Sequence, residues 1–157
     1  MITISASNHV HLLRTAREKA KKSVEDMAES LEISVAAYQD LESFDDEIID
    51  CISLQQLVIL SKVLHLNLID FFSDSYEVPQ ETVSLEDLAN TIREFLITQH
   101  ITNNELQELA GWEGIDRCLE RPLDFLKYNI TALIDICEIV KVNWQSVISG
   151  ISKLHTT

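Results

Sequence analysis

Val24-Glu-Asp-Met27-Ala-Glu-Ser-Leu31-Glu-Ile-Ser34-Val-Ala-Ala-Tyr38-Gln-Asp-Leu-Glu42 is the stretch whose reading decides the fold. Met27, Ala28 and Leu31 fall at i, i+1 and i+4, one face of a helix that Ser23 caps. Glu25 and Asp26 then sit in its first turn, where the helix dipole favours negative charge. A tight turn over 31–34 follows. Ser34 caps a second helix whose inward face is Ala37, Tyr38 and Leu41, and two short helices so joined form a helix-turn-helix.

The flanking segments complete a unit of five helices. Upstream, a helix from Ser7 or Asn8 to Ala20 turns Val10, Leu13, Ala16 and either Arg17 or Ala20 inward. Downstream comes an acidic connection, Ser43 to Ile52. Phe44, Ile48, Ile49 and Ile52 are spaced to tuck it onto the core and leave its carboxylates outside. Ser53 caps the next helix, in Leu54-Gln-Gln-Leu-Val-Ile-Leu-Ser-Lys-Val-Leu-His-Leu-Asn-Leu-Ile-Asp-Phe-Phe72, and Leu68, Phe71 and Phe72 close the unit after a turn at Leu66-Asn67.

From about Leu12 to Phe72 the chain resembles the Cro and lambda-repressor family of helix-turn-helix domains. That resemblance implies DNA binding through the third helix, with polar side chains at the starts of the second and third helices touching bases and phosphates. The matching positions here are Val24 and Val35, which make no such hydrogen bond. Gln39 is the one base reader on the third helix, and Asp40 and Glu42 present the wrong sign to phosphate. No Lys or Arg occurs between Ser23 and Ser61.

The totals agree with this reading. A chain of 157 residues with 46% hydrophobic residues holds one ordinary domain or two small ones, and only 3 Gly and 2 Pro argue for an all-α protein. Its formal net charge of −14 repels nucleic acid and anionic membranes and attracts basic partners. Cys51, Cys118 and Cys137 are widely spaced and odd in number, as for reduced thiols in a cytoplasmic protein. The first residues lack the pattern of a signal peptide, and no run reaches the about 18 apolar residues of a membrane span.

Ser73 to Val83, polar and interrupted by Pro79, reads as the junction, giving domains 1–73 and 84–157 with a linker at 74–83. The second half repeats the first. Ser84 and Asp87 form a capping box, and Arg14, Ser23, Met27 and Ile33 meet Arg93, Thr102, Leu106 and Trp112, each 79 residues on. Asn67 meets Asn143 at 76. The expectation is two tandem five-helix lambda-repressor-like helix-turn-helix units, the second a diverged copy over about 88–148. Its third helix runs from Ile115 to about Arg121, where Pro122 ends it.

Nothing in the pattern points to catalysis or to a bound cofactor. The three glycines cannot form a phosphate-cradling loop, and Ser, Cys and His lack the spacings of nucleophilic sites. His9 and His11 have no third ligand near in sequence, and Asp45, Asp46, Glu47 and Asp50 lack the glycine and alternation of a calcium loop. No metal site is expected.

Three functions follow from these residues. The leading one is an acidic protein-binding module whose face of Glu32, Asp40, Glu42, Asp45, Asp46, Glu47 and Asp50 docks a basic, toxin-like protein, as an immunity protein or antitoxin does. The alternative is a DNA-binding transcriptional regulator using Arg14, Arg17, Lys21, Lys22, Gln39, Asn103, Arg117 and Arg121. Arg14, Arg17, Lys19, Lys21 and Lys22 also suit a structural role, stabilising the end of the first helix. The third is a homodimer formed through exposed Trp112, Trp144 and Ile151.

Overall fold

The computed structural model describes residues 9–72 and 81–154, and among these every regular element is helical. The chain divides into two compact units, Met1–Val78 and Pro79–Thr157. The expected helix start at Ser7 or Asn8, and the linker around Pro79, lie outside the described residues.

The first unit holds α1 (His9–Lys19), α2 (Val24–Leu31), α3 (Val35–Leu41), α4 (Glu47–Asp50), α5 (Leu54–Leu64) and α6 (Leu68–Phe72). Local chemistry sets the boundaries. Ser23 accepts from the Asp26 amide while the Asp26 carboxylate accepts from the Ser23 amide, and Ser53 and Gln56 repeat that reciprocal cap on α5. Ser34 caps α3 through the Ala37 amide. At the other ends, Lys21, Glu32 and His65 take left-handed φ angles of 53–55°, and backbone amides there fold back onto the last carbonyls of α1, α2 and α5.

Packing follows from these starts. α2 lies against α3 and α5, and the side-chain amide of Gln56 donates to the Leu31 carbonyl at 2.9 Å, joining the cap of α5 to the end of α2. α1 packs on α6, where the buried His9 ring stacks on Phe71 with centroids 5.0 Å apart. Met27, Ala28, Leu31, Tyr38, Leu41, Leu57, Leu60 and Phe72 are all buried, as the periodicity requires.

The acidic connection does not behave wholly as expected. Ile48 and Ile52 are buried and Ile49 half-buried, but Phe44 stands 55% exposed. The Phe44 amide continues α3 by donating to Asp40 O at 2.9 Å, and its carbonyl accepts from the Glu47 amide at the start of α4. The backbone between two helices therefore dictates the direction of this ring.

The second unit holds α7 (Leu85–Gln99), α8 (Asn103–Ala110), α9 (Ile115–Glu120), a 3₁₀ helix (Pro122–Lys127), α10 (Ile130–Val140) and α11 (Trp144–Lys153). Ser84 with Asp87, and Thr102 with Glu105, form capping boxes; Asn129 and Asn143 cap α10 and α11. Each unit thus has six helical segments among its described residues, the added one lying in the connection after the third helix. α7 packs on α9, α10, α11 and the 3₁₀ helix, and α10 also covers α8.

Left-handed residues again close three helices: His100 after α7, Gly111 after α8 and Lys141 after α10. The start of α9 is unusual because its N-cap, Gly114, has no side chain to offer. Gln107 on α8 supplies one instead, its Oε1 accepting from the Gly114 and Ile115 amides at 2.8 and 3.1 Å.

Candidate partner-binding surface

The acidic residues of the first unit separate according to what lies within reach of each. Glu32 is exposed at the left-handed end of α2, Asp40 is exposed on α3, and Asp46 is exposed ahead of α4; none of the three makes an ion pair among the described residues. Asp50 is also exposed, at the end of α4. Asp45 and Glu47 are half-buried. Asp45 accepts from the Val10 amide at 3.4 Å, and Glu47 lies beside the Cys51 thiol.

Glu42 departs from the expected face. It is 4% exposed, and its carboxylate is gripped by Arg17 through Nε to Oε1 at 2.6 Å and Nη2 to Oε2 at 3.0 Å. The pairing with Glu42 raises the Arg17 pKa, and burial opposes it. Buried Tyr38 lies beside the pair, its phenol pushed upward first by burial and then by the Glu42 charge. Glu42 therefore cannot present its carboxylate to a partner, and Arg17 cannot present its guanidinium to DNA. Sequence position placed them on a face and on a basic cluster; the approach of α1 to the end of α3 takes both inward.

Arg14 is likewise engaged, donating through Nη2 to the Glu42 carbonyl at 3.1 Å and lying 3.6 Å from its carboxylate. In the second unit Arg93, on α7, donates in the same way to Leu119 O near the end of α9. Both arginines satisfy a carbonyl at the end of a third helix, where positive charge also offsets the helix dipole.

Of the other candidate DNA contacts, Lys21, Lys22 and Gln39 are exposed and Asn103 is half-buried at the start of α8. Arg117 is exposed in α9, its guanidinium close over Gly114. Arg121 holds Asp124 at 2.9 Å, and Lys127 holds the same carboxylate at 3.0 Å. The hydrogen bond from Lys127, with the charge of Arg121 beside it, keeps the Asp124 carboxyl below its usual range.

The apolar surface also differs from expectation. Trp144 and Ile151 are buried, 7% and 1% exposed, and Trp112 is half-buried with its indole N–H donating to Asp135 at 2.9 Å. The amphipathic face of α11 points into its own unit, so these residues are unsuited to hold a dimer together. Large apolar groups that do face solvent include Ile97, Leu109 and Leu123, together with Phe44 beside the acidic residues. Phe44 is the member of the acidic surface that spacing alone misassigned to the core.

Among the described residues no group of three His, Cys, Asp or Glu is placed to hold a metal ion, and no helix is long and apolar enough to cross a membrane. Comparisons with protein-family models, curated proteins and solved structures give no match to this chain.

Proposed function

We propose that the chain is a non-enzymatic binding module whose first unit docks a basic protein, in the manner of an immunity protein or antitoxin that neutralises a nuclease-like toxin. One observation carries this reading: among the described residues Glu32, Asp40 and Asp46 stand exposed without ion partners, in a stretch that also exposes Phe44 and holds no Lys or Arg from 24 to 60. Unpaired carboxylates accelerate encounter with a cationic surface, and an aromatic group among them supplies apolar area that charge alone does not. A nucleic-acid-binding groove is such a cationic surface.

The same reading takes the two units as diverged tandem copies of a lambda-repressor-like helix-turn-helix. Its support is the order of caps: Lys21, Glu32 and His65 have counterparts in His100, Gly111 and Lys141, displaced by 79, 79 and 76 residues. Arg14 and Arg93, also 79 apart, bond the ends of the third helices. The drop in displacement falls in the connection where the first unit carries α4 and the second its 3₁₀ helix.

A second reading, a DNA-binding regulator, is favoured by exposed Arg117 on α9, with Lys21 and Lys22 exposed after α1. A pull-down from native lysate at low and high salt, with and without nuclease, separates the two. Retention of a basic protein that survives nuclease, and is lost with Asp40→Lys, Asp46→Lys and Glu47→Lys combined, supports the docking module. Recovery of specific DNA fragments that depends on Arg117 overturns it.

A further inference from the structure

A groove of about 390 Å³ runs between the second half of α1 and the end of α5 in the first unit, on residues the acidic surface does not use. Its walls are aliphatic: Leu12 and Ala16 on α1, with Ala20 just past its end, at i, i+4 and i+8, face Leu64 and Leu66. Leu12 is 37% exposed there. The volume falls in the range of about 300–1,000 Å³ usual for small-molecule sites, and so does the pattern of apolar wall with few polar groups.

The polar groups lining it are Thr15, Lys19 and His65, and the lining includes no acid. In a chain with 26 acidic residues against 12 basic ones that composition is an exception with a structural origin. Arg14 and Arg17 are drawn to the end of α3, which leaves Lys19, Lys21, Lys22 and Lys62 as the lysines of this unit outside any ion pair among the described residues. Lys19 lines the groove. Lys21 and Lys22 follow its wall residue Ala20, and Lys62 precedes its wall residue Leu64 by two positions.

Two helices end at this place, and free carbonyls at a helix end repel an anion. Here four of them are engaged by backbone amides. Lys21 and Lys22 amides donate to Glu18 and Arg17 carbonyls at 3.0 and 3.1 Å, and the His65 and Leu66 amides donate to Lys62 and Ser61 carbonyls at 3.4 and 2.9 Å. Lys19 is the one charged lysine in the lining, where no acid opposes it.

We infer that this groove binds a small amphipathic anion, a carboxylate on a medium-length alkyl chain, with the chain along Leu12, Ala16 and Leu64 and the carboxylate at Lys19. The site is independent of the acidic docking surface, and its test does not involve that partner. Decanoate, held below its micellar concentration, is titrated into the full-length isotope-labelled protein and followed by amide chemical shifts. The expected result is one saturable set of shifts confined to α1, the end of α5 and the following turn. Lys19→Glu weakens binding at least tenfold, decanol binds at least tenfold more weakly than decanoate, and Ala16→Phe, which fills the groove, removes the shifts. Shifts that fail to saturate, or affinity unchanged by Lys19→Glu or by loss of the carboxylate, overturn the proposal. Should Ala16→Phe fail to fold, the exposed Lys19→Glu variant and the decanol comparison decide the matter alone.

Discussion

Arg17 on α1 and Glu42 at the end of α3, 25 residues apart, form a two-pronged ion pair in which both side chains are largely withdrawn from solvent, at 14% and 6% exposed. The pair anchors α1 to the end of α3. It also removes one acid and one base from the surface.

Glu42→Ala is expected to destabilise the first unit by about 3 kcal/mol, because the change leaves a guanidinium poorly hydrated and without its counter-charge. The double change Arg17→Met with Glu42→Leu should recover most of that loss, since the apolar pair needs no charge compensation. Urea unfolding followed by circular dichroism reads both; a double variant no better than the single would show that the carboxylate acts otherwise than through Arg17.

Gln107→Ala should cost about 1–2 kcal/mol, the usual loss on removing an N-cap acceptor, because Gly114 cannot replace the bonds to its own and the Ile115 amide. Gln107→Glu keeps an acceptor at a helix N-terminus and should retain wild-type stability or exceed it. Equal losses in both variants would refute the capping role.

Gly150 is buried on α11 under the segment that leads into α7, where Val83 N donates to Ser146 O at 3.0 Å and Thr82 meets Ser149 at 3.3 Å. A Cβ at this position would overlap the Val83 carbonyl, its carbon only 2.8 Å away. Gly150→Ala should therefore lower stability by at least about 2 kcal/mol, the magnitude of an overpacked core, read as a fall in midpoint.

Cys51 is exposed, yet the hydrogen bond with Glu47, aided by burial, pushes its thiol up to about 11 from 9.0. At pH 8 its alkylation should run about a hundredfold slower than that of a free thiol, the factor given by two pH units of lost thiolate. Glu47→Gln should speed it. Burial raises Cys137 to about 12, so the stability it contributes is intact below pH 9 and is lost as pH climbs toward 12, because the unfolded thiol ionises first. Unfolding midpoints of wild type and Cys137→Ala across that range test the sign.

Residues 79–157, produced alone, should give a helical spectrum and a cooperative melt, since this unit has its own core of Leu88, Ile92, Leu106, Phe125, Leu133 and Val147. A broad, non-cooperative transition would show that it needs the first unit.

The sequence by itself determined where several of the longer helices start, because that event is decided within about four residues: Ser23, Ser34, Ser53 and Ser84 each cap the helix that spacing assigned to them. The inward face of α2, Met27, Ala28 and Leu31, was legible for the same reason, a period set by local geometry. Which face of an element meets another element is decided by chain segments far away, and there tertiary structure had the last word. Glu42 turned inward because Arg17 arrives from α1, and Phe44 turned outward because α3 and α4 fix its backbone on both sides. Trp144 and Ile151 were buried because α11 lies against α7 and α10. The apolar groove with Lys19 in its lining exists only once α1 and α5 are brought together, though every residue lining it was visible from the start.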